Sequence, residues 1–134
     1  MKSQATTGRP DSGDRKRFGA TGEHLAAVWM EQQGYKIIAR NWRCPCGELD
    51  IVGERGGELV FVEVKARRGA RMGSAAEAVT PTKQRRLVRS AQYFLMAHGQ
   101  EQRPYRIDVI TVEVAPSGNQ VNLRHYPACV ESEG

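Results

Sequence analysis

From Gly47 to Lys65 the chain alternates with a period of two. Two strand-like runs, Gly47-Glu48-Leu49-Asp50-Ile51-Val52 and Leu59-Val60-Phe61-Val62-Glu63-Val64-Lys65, flank Gly56-Gly57. Side chains alternate between the faces of a strand, which puts Glu63 and Lys65 on one face and Val60, Val62 and Val64 on the other. In the first run Glu48, Asp50 and Val52 point one way, and Leu49 and Ile51 point toward the valines. A two-residue primed turn at Gly56-Gly57 then sets the pairing: Arg55 faces Glu58, Val52 faces Phe61, Asp50 faces Glu63 and Glu48 faces Lys65.

Helical spacing takes over on either side. Leu25, Val28, Trp29 and Gln32 predict a helix over about Thr21 to Gln33, with Gly34 as its stop. A strand over Lys36 to Trp42 precedes the hairpin. Residues from Gly69 to Thr80 read as a loop. Thr80-Pro81 starts a second helix, with a capping hydroxyl and a proline at the first helical position. Leu87, Ala91, Phe94 and Leu95 form its inner stripe; Arg85, Arg86, Arg89 and Gln92 fall outside. After Gly99, Arg106 to Val112 reads as a fourth strand in a parallel crossover, and Val121 to Tyr126 as a short edge strand. The chain divides into a polar, disordered basic tail (1–17), one domain (18–128) and a frayed end (129–134).

The hairpin register carries an electrostatic conflict. Opposed side chains have Cβ atoms about 4.5 to 5.5 Å apart, and two carboxylates at about 5 Å repel by roughly 3 kcal/mol at an effective dielectric of about 20. Asp50 and Glu63 therefore call for a neutralising partner. Mg²⁺ takes oxygen ligands, often one or two carboxylates completed by water and substrate phosphate. The competing reading is a solvated outer hairpin face with Glu48 and Lys65 as an ordinary cross-strand ion pair.

Together with Gly22-Glu23, Asn41-Trp42-Arg43, Gly47-Glu48-Leu49-Asp50, Phe61 to Arg67, Lys83-Gln84 and Arg106 to Ile110, this constellation resembles the PD-(D/E)xK nuclease superfamily. More closely, it is similar to the YraN-like family of predicted endonucleases, which look like Holliday-junction resolvases. Leu49 stands where the superfamily pattern has proline. The resemblance implies an α/β, restriction-endonuclease-like core: helix, three strands, helix and strand around a central mixed sheet. It also implies Asp50 and Glu63 as ligands of Mg²⁺ or Mn²⁺, Lys65 as a catalytic cation and Glu23 as a supporting acid. On local grounds Glu23 is equally a first-turn acid favoured by the helix dipole.

Charge agrees with a polyanionic partner. The 134 residues carry 20 Lys and Arg against 15 Asp and Glu, a net charge of +5. Between Lys65 and Arg89 the cations Lys65, Arg67, Arg68, Arg71, Lys83, Arg85, Arg86 and Arg89 face the single acid Glu77. Such a run beside the acids suits a phosphate backbone. Lys83, one turn before Leu87, returns to the inner side, so Lys83 and Gln84 would point from the helix N-terminus toward the acidic face and hold a phosphate there with the free amides; a solvated first turn is the alternative. Nucleic acid, with DNA the first expectation, is the implied partner, and a resolvase-like activity favours a homodimer.

Other classes recede. No apolar run reaches the roughly 18 residues of a membrane span, so a cytoplasmic location and no membrane partner are expected. Cys44, Cys46 and Cys129 are an odd set, read as reduced thiols; the alternative is a zinc site with His125. No His, Ser or Cys arrangement suggests covalent catalysis. Besides an endonuclease, two readings stay open: a nucleic-acid-binding module that does not cut, and a protein whose basic helix docks on an acidic partner.

Overall fold

Gly56 and Gly57 have φ of 61° and 83°, the left-handed pair that a primed hairpin turn requires. In the computed structural model, which describes residues 12–69, 79–117 and 120–130, this turn joins β2 (Gly47–Arg55) to β3 (Glu58–Arg68) with Arg55 opposite Glu58 and Val52 opposite Phe61, as the sequence predicts. β1 (Lys36–Cys44) pairs antiparallel to β2. β4 (Tyr105–Val114) runs parallel to β3 from Leu59–Tyr105 to Arg68–Val114, and β5 (Val121–Val130) antiparallel to β4. The result is a five-stranded mixed sheet in the order β1-β2-β3-β4-β5. β5 reaches Val130, which is buried opposite Ile107, so the frayed end expected from residue 129 does not begin there.

One helix lies on each face. Helix α1 spans Ser12–Gln32. It starts at Ser12 rather than about Thr21, so residues 12–17, expected in the tail, are helical; residues 1–11 lie outside the described residues. Ala26, Ala27 and Met30 pack on Ile51, Val60, Val62, Ile110 and Val112. Gly22 lets the helix approach closely: a Cβ there would lie 2.7 Å from Ala66 Cβ. The second helix, α2 (Pro81–Ala97), is capped by Thr80, whose hydroxyl accepts the Lys83 amide at 3.2 Å. Its stripe Leu87, Ala91, Phe94 and Leu95 covers Val52, Leu59, Phe61, Ile107 and Val109 on the opposite face. Buried on both sides, β3 reads as a near-continuous apolar run. The loop expected from Gly69 to Thr80 lies mostly outside the described residues, Arg71 and Glu77 included.

Asp108 on β4 is fully buried and fully used. It accepts from Arg106 Nε at 2.9 Å, the Ala128 amide at 2.8 Å and His125 Nε2 at 2.7 Å. The β4–β5 register shifts between Ile107 and Val109, and the Asp108 carboxylate meets the amide that this irregularity leaves over. Burial opposes its charge, but the bonds from His125, Arg106 and Ala128 outweigh burial and hold its carboxyl below the usual range. Among the described residues no helix is long and apolar enough to cross a membrane.

Candidate metal centre

The acids meet at a fork in the sheet. The β2–β3 ladder ends at Ile51–Val62, so the expected pairs Asp50–Glu63 and Glu48–Lys65 are not formed as ladder partners. Asp50 replaces the missing ladder bond with its side chain: Oδ2 accepts the Val64 amide at 2.8 Å. Nearby, Asn41 has φ of 52°, between the β1–β2 pairs Arg40–Ile51 and Trp42–Leu49. The alternation breaks there. Leu49 packs in the α2-side core and Ile51 in the α1-side core, although strict alternation predicts one face for both.

The first turn and inner face of α2 close over this fork. The solvated-hairpin reading therefore fails: Glu63 is only 5% exposed. Gly47, Glu48, Asp50, Glu63, Lys83, Arg86, Leu87 and Ser90 line a cleft of about 160 Å³. Lys83, in the first turn of α2, points inward and places Nζ 2.7 Å from Glu63 Oε2. Glu48 is paired not with Lys65 but loosely with Arg43, at 3.9 Å. Oriented to satisfy its neighbours, the Asn41 amide donates to Glu23 Oε1 at 2.9 Å and Glu48 Oε2 at 3.2 Å, tying α1 to the same acidic end.

Burial and mutual repulsion dominate the electrostatics. Burial, then the nearby Glu63 charge, push the Asp50 carboxyl up to about 8, against the pull of the Val64 amide. Glu23 is also raised, chiefly by burial; its bond from Asn41 opposes this and Glu48 adds to it. Burial works against the Lys83 charge, but Glu63 and Asp50 overcome it and hold the amine above its ordinary range. Among the described residues no three His, Cys, Asp or Glu side chains converge into a ready metal cage. The donors that do converge are carboxylate oxygens, the chemistry Mg²⁺ and Mn²⁺ prefer. Asp50 and Glu63 fit such an ion as two ligands of a set completed by water and phosphate.

The other expected site residues fall around this centre unevenly. Lys65 is exposed on β3 and does not line the cleft. Gln84 turns back onto its own helix start, donating to the Val79 carbonyl at 3.2 Å, so it does not face the acids as expected. Arg85 reaches Thr82 at 3.4 Å, Arg86 lines the cleft, and Arg89 is exposed. Arg67 is half-buried and Arg68 exposed at the far end of β3. The zinc alternative is not assembled. Cys44 sits 3.6 Å from Ser90 on the α2 side, whereas His125 bonds Asp108 and lies 5.1 Å from Trp29 of α1; the Cys129 side chain is not among those described. Asn41, Ser90 and the inward turn of Arg86 were missed. Asn is the residue most tolerant of the left-handed conformation after glycine, and Ser90 lies three residues from Leu87 on the inner stripe, so both carried a readable signal.

Fold and site together define a mixed α/β protein whose five-stranded sheet opens into a buried acidic fork capped by a lysine-bearing helix. The model of the uncharacterised protein family UPF0102 matches residues 22–112, and the chain belongs to this family, the YraN-like family its motifs resemble. A UPF0102 protein of Roseiflexus castenholzii is 45% identical over 121 residues, 90% of this chain and 98% of that one. One from Symbiobacterium thermophilum is 52% identical over 103 residues, 77% of this chain and 87% of its own. A third, from Syntrophotalea carbinolica, is 41% identical over 120 residues, or 90% and 96%.

Proposed function

We propose that this protein is a Mg²⁺- or Mn²⁺-dependent endonuclease with a restriction-endonuclease-like core of the PD-(D/E)xK type. It hydrolyses phosphodiester bonds in nucleic acid, with DNA, and branched DNA in particular, as substrate. One observation carries the reading: Asp50 and Glu63 are forced together in the fork, where burial and the Glu63 charge raise the Asp50 carboxyl to about 8. Ending the ladder at the Val64 amide needs Asp50 alone and gives no use for a second buried acid beside it.

Asp50 and Glu63 would hold the divalent ion, which supplies positive charge that polarises phosphoryl oxygens and acidifies water. The Val64 amide fixes the Asp50 carboxylate in one orientation, so little reorganisation is needed when charge develops. Glu23, tethered through Asn41, adds negative charge that favours cations at this end of the sheet. Lys83 and Arg86 offer cations at the cleft to a phosphate of the backbone, while Arg67, Arg68, Arg85 and Arg89 extend the positive surface, with Arg71 in the same run of sequence. Lys65, exposed two residues beyond Glu63, is the catalytic cation that the superfamily resemblance assigns. A two-fold dimer acting in the cytoplasm suits a symmetric junction.

The Lys83–Glu63 ion pair favours a second reading, a nucleic-acid-binding module of the same fold in which the protein's own cation replaces the metal. The test is cleavage of duplex, single-stranded, flapped and four-way-junction DNA in Mg²⁺ and Mn²⁺, beside Asp50→Asn. Cutting that the variant loses supports the endonuclease. Salt-dependent binding that survives Asp50→Asn, with no cutting in either metal, supports the module.

A further inference from the structure

We propose that Lys83 is an internal counter-ion on the metal site, and that nucleic-acid phosphate, by drawing Lys83 off Glu63, couples substrate binding to metal loading. This rests on the metal-centre reading above and concerns the order in which that centre is assembled. Nζ of Lys83 lies 2.7 Å from Glu63 Oε2, where its charge opposes any second cation on that carboxylate. A divalent ion needs ligand oxygens at about 2.0 to 2.1 Å for Mg²⁺, so a Lys83 left in place would sit within a few ångströms of it. The two cations repel each other across one carboxylate, so each weakens the other's hold on Glu63.

The geometry makes Lys83 the one that moves. Its backbone is fixed, because its amide is bonded to the Thr80 cap and its helix is anchored by Leu87, Ala91 and Phe94. Its side chain is 47% exposed, against 6% for Glu63. A four-carbon stem carrying a rotatable ammonium can reach inward to Glu63 or outward to a phosphate at the helix N-terminus. Arg86, also lining the cleft, opposes the Lys83 charge and adds attraction for that phosphate. When a phosphate engages Lys83, Glu63 is released for the metal, and linkage requires that the metal tighten nucleic acid by the same factor. The hydrolytic charge then assembles more readily when a backbone is present.

The test is Mn²⁺ binding, followed by the electron paramagnetic resonance signal of free Mn²⁺ at pH 8.5. Wild type, Lys83→Met, Lys83→Gln and Lys83→Arg are titrated alone and with a saturating phosphorothioate oligonucleotide that resists cleavage. Asp50→Asn with the same oligonucleotide supplies the background from Mn²⁺ bound elsewhere. We expect the oligonucleotide to tighten wild-type Mn²⁺ binding about tenfold. Lys83→Met should bind Mn²⁺ about tenfold more tightly than wild type without oligonucleotide and respond little to it. Lys83→Gln should match Lys83→Met and stands in for it if the latter misfolds by circular dichroism; Lys83→Arg should remain close to wild type. Equal or weaker Mn²⁺ binding in both neutral variants, or an oligonucleotide without effect on wild type, overturns the coupling while an Asp50-dependent site leaves the metal centre standing. If neither wild type nor the neutral variants have an Asp50-dependent site, coupling and metal centre fall together.

Discussion

Asp50 and Val64 are joined by a 2.8 Å hydrogen bond, carboxylate to backbone amide, at the point where strands β2 and β3 part. A side chain thus takes over from the ladder, and the sheet opens into a cleft without leaving that amide unpaired. The same bond fixes an acid beside Glu63, so one residue both terminates the pairing and builds the site.

Asp50→Asn should therefore separate stability from function. The amide oxygen can still accept from Val64, and the buried charge is gone. Metal-free protein at pH 8 should gain roughly 2 kcal/mol or more in urea denaturation, while cleavage falls at least about a hundredfold. A loss of stability would show that the Asp50 charge is already compensated within the chain.

Metal-free stability should fall as pH rises from about 4 toward 8, then level off. The folded state keeps the Asp50 proton up to about 8, whereas the unfolded chain releases it near its ordinary value of 3.8. Between these values the folded state binds more protons, and stability falls with rising pH. Asp108, with its lowered carboxyl, acts in the opposite sense and only at more acidic pH. Melting temperature against pH, with Asp50→Asn subtracted, isolates the effect; Mn²⁺ should reverse it at pH 8.5.

Gly22→Ala should cost about 1 to 3 kcal/mol despite alanine's better helix propensity. The new methyl would meet Ala66 Cβ at 2.7 Å between two backbones, neither of which has a flexible side chain to yield. Gly22→Ala with Ala66→Gly should recover most of the loss, and a double-mutant cycle on unfolding free energy measures the coupling.

Asp108→Ala should destabilise by about 2 to 3 kcal/mol, because the Ala128 amide loses its acceptor and Arg106 keeps only Glu58 and the Tyr35 hydroxyl. Because Asp108 bonds the β5 segment and the Trp29 side of the sheet rather than the fork, folded Asp108→Ala should still bind Mn²⁺ with wild-type affinity. Urea denaturation and Mn²⁺ titration check the two halves.

Much of this architecture is legible in the sequence because local rules and global packing agree. Gly56-Gly57, the period of two on either side of it and the Thr80-Pro81 cap are each sufficient for their elements. Asp50 and Glu63 were identifiable as partners in conflict, but their geometry was not. Strict alternation extends the ladder through Asp50, whereas the left-handed Asn41 and the Asp50–Val64 bond interrupt it. The same break moves Leu49 across the sheet. Lys83 was readable as an inward-facing cation, yet its destination depended on how α2 closes over the fork, a tertiary contact no spacing rule contains. The early start of α1 at Ser12, through Gly13 and Gly19, runs against helix propensity.

The central claim is that Asp50 and Glu63 form the centre of a metal-dependent phosphodiesterase. Its most direct test is the single-turnover cleavage rate of a four-way DNA junction at pH 8, measured for highly purified wild type and Asp50→Asn, with Mg²⁺, with Mn²⁺ and with chelator. Metal-dependent cutting by the wild type, lost in chelator and at least about a hundredfold slower in Asp50→Asn, is the predicted result. Equal rates for the two proteins, or no cutting of this or any other DNA shape in either metal, would contradict it.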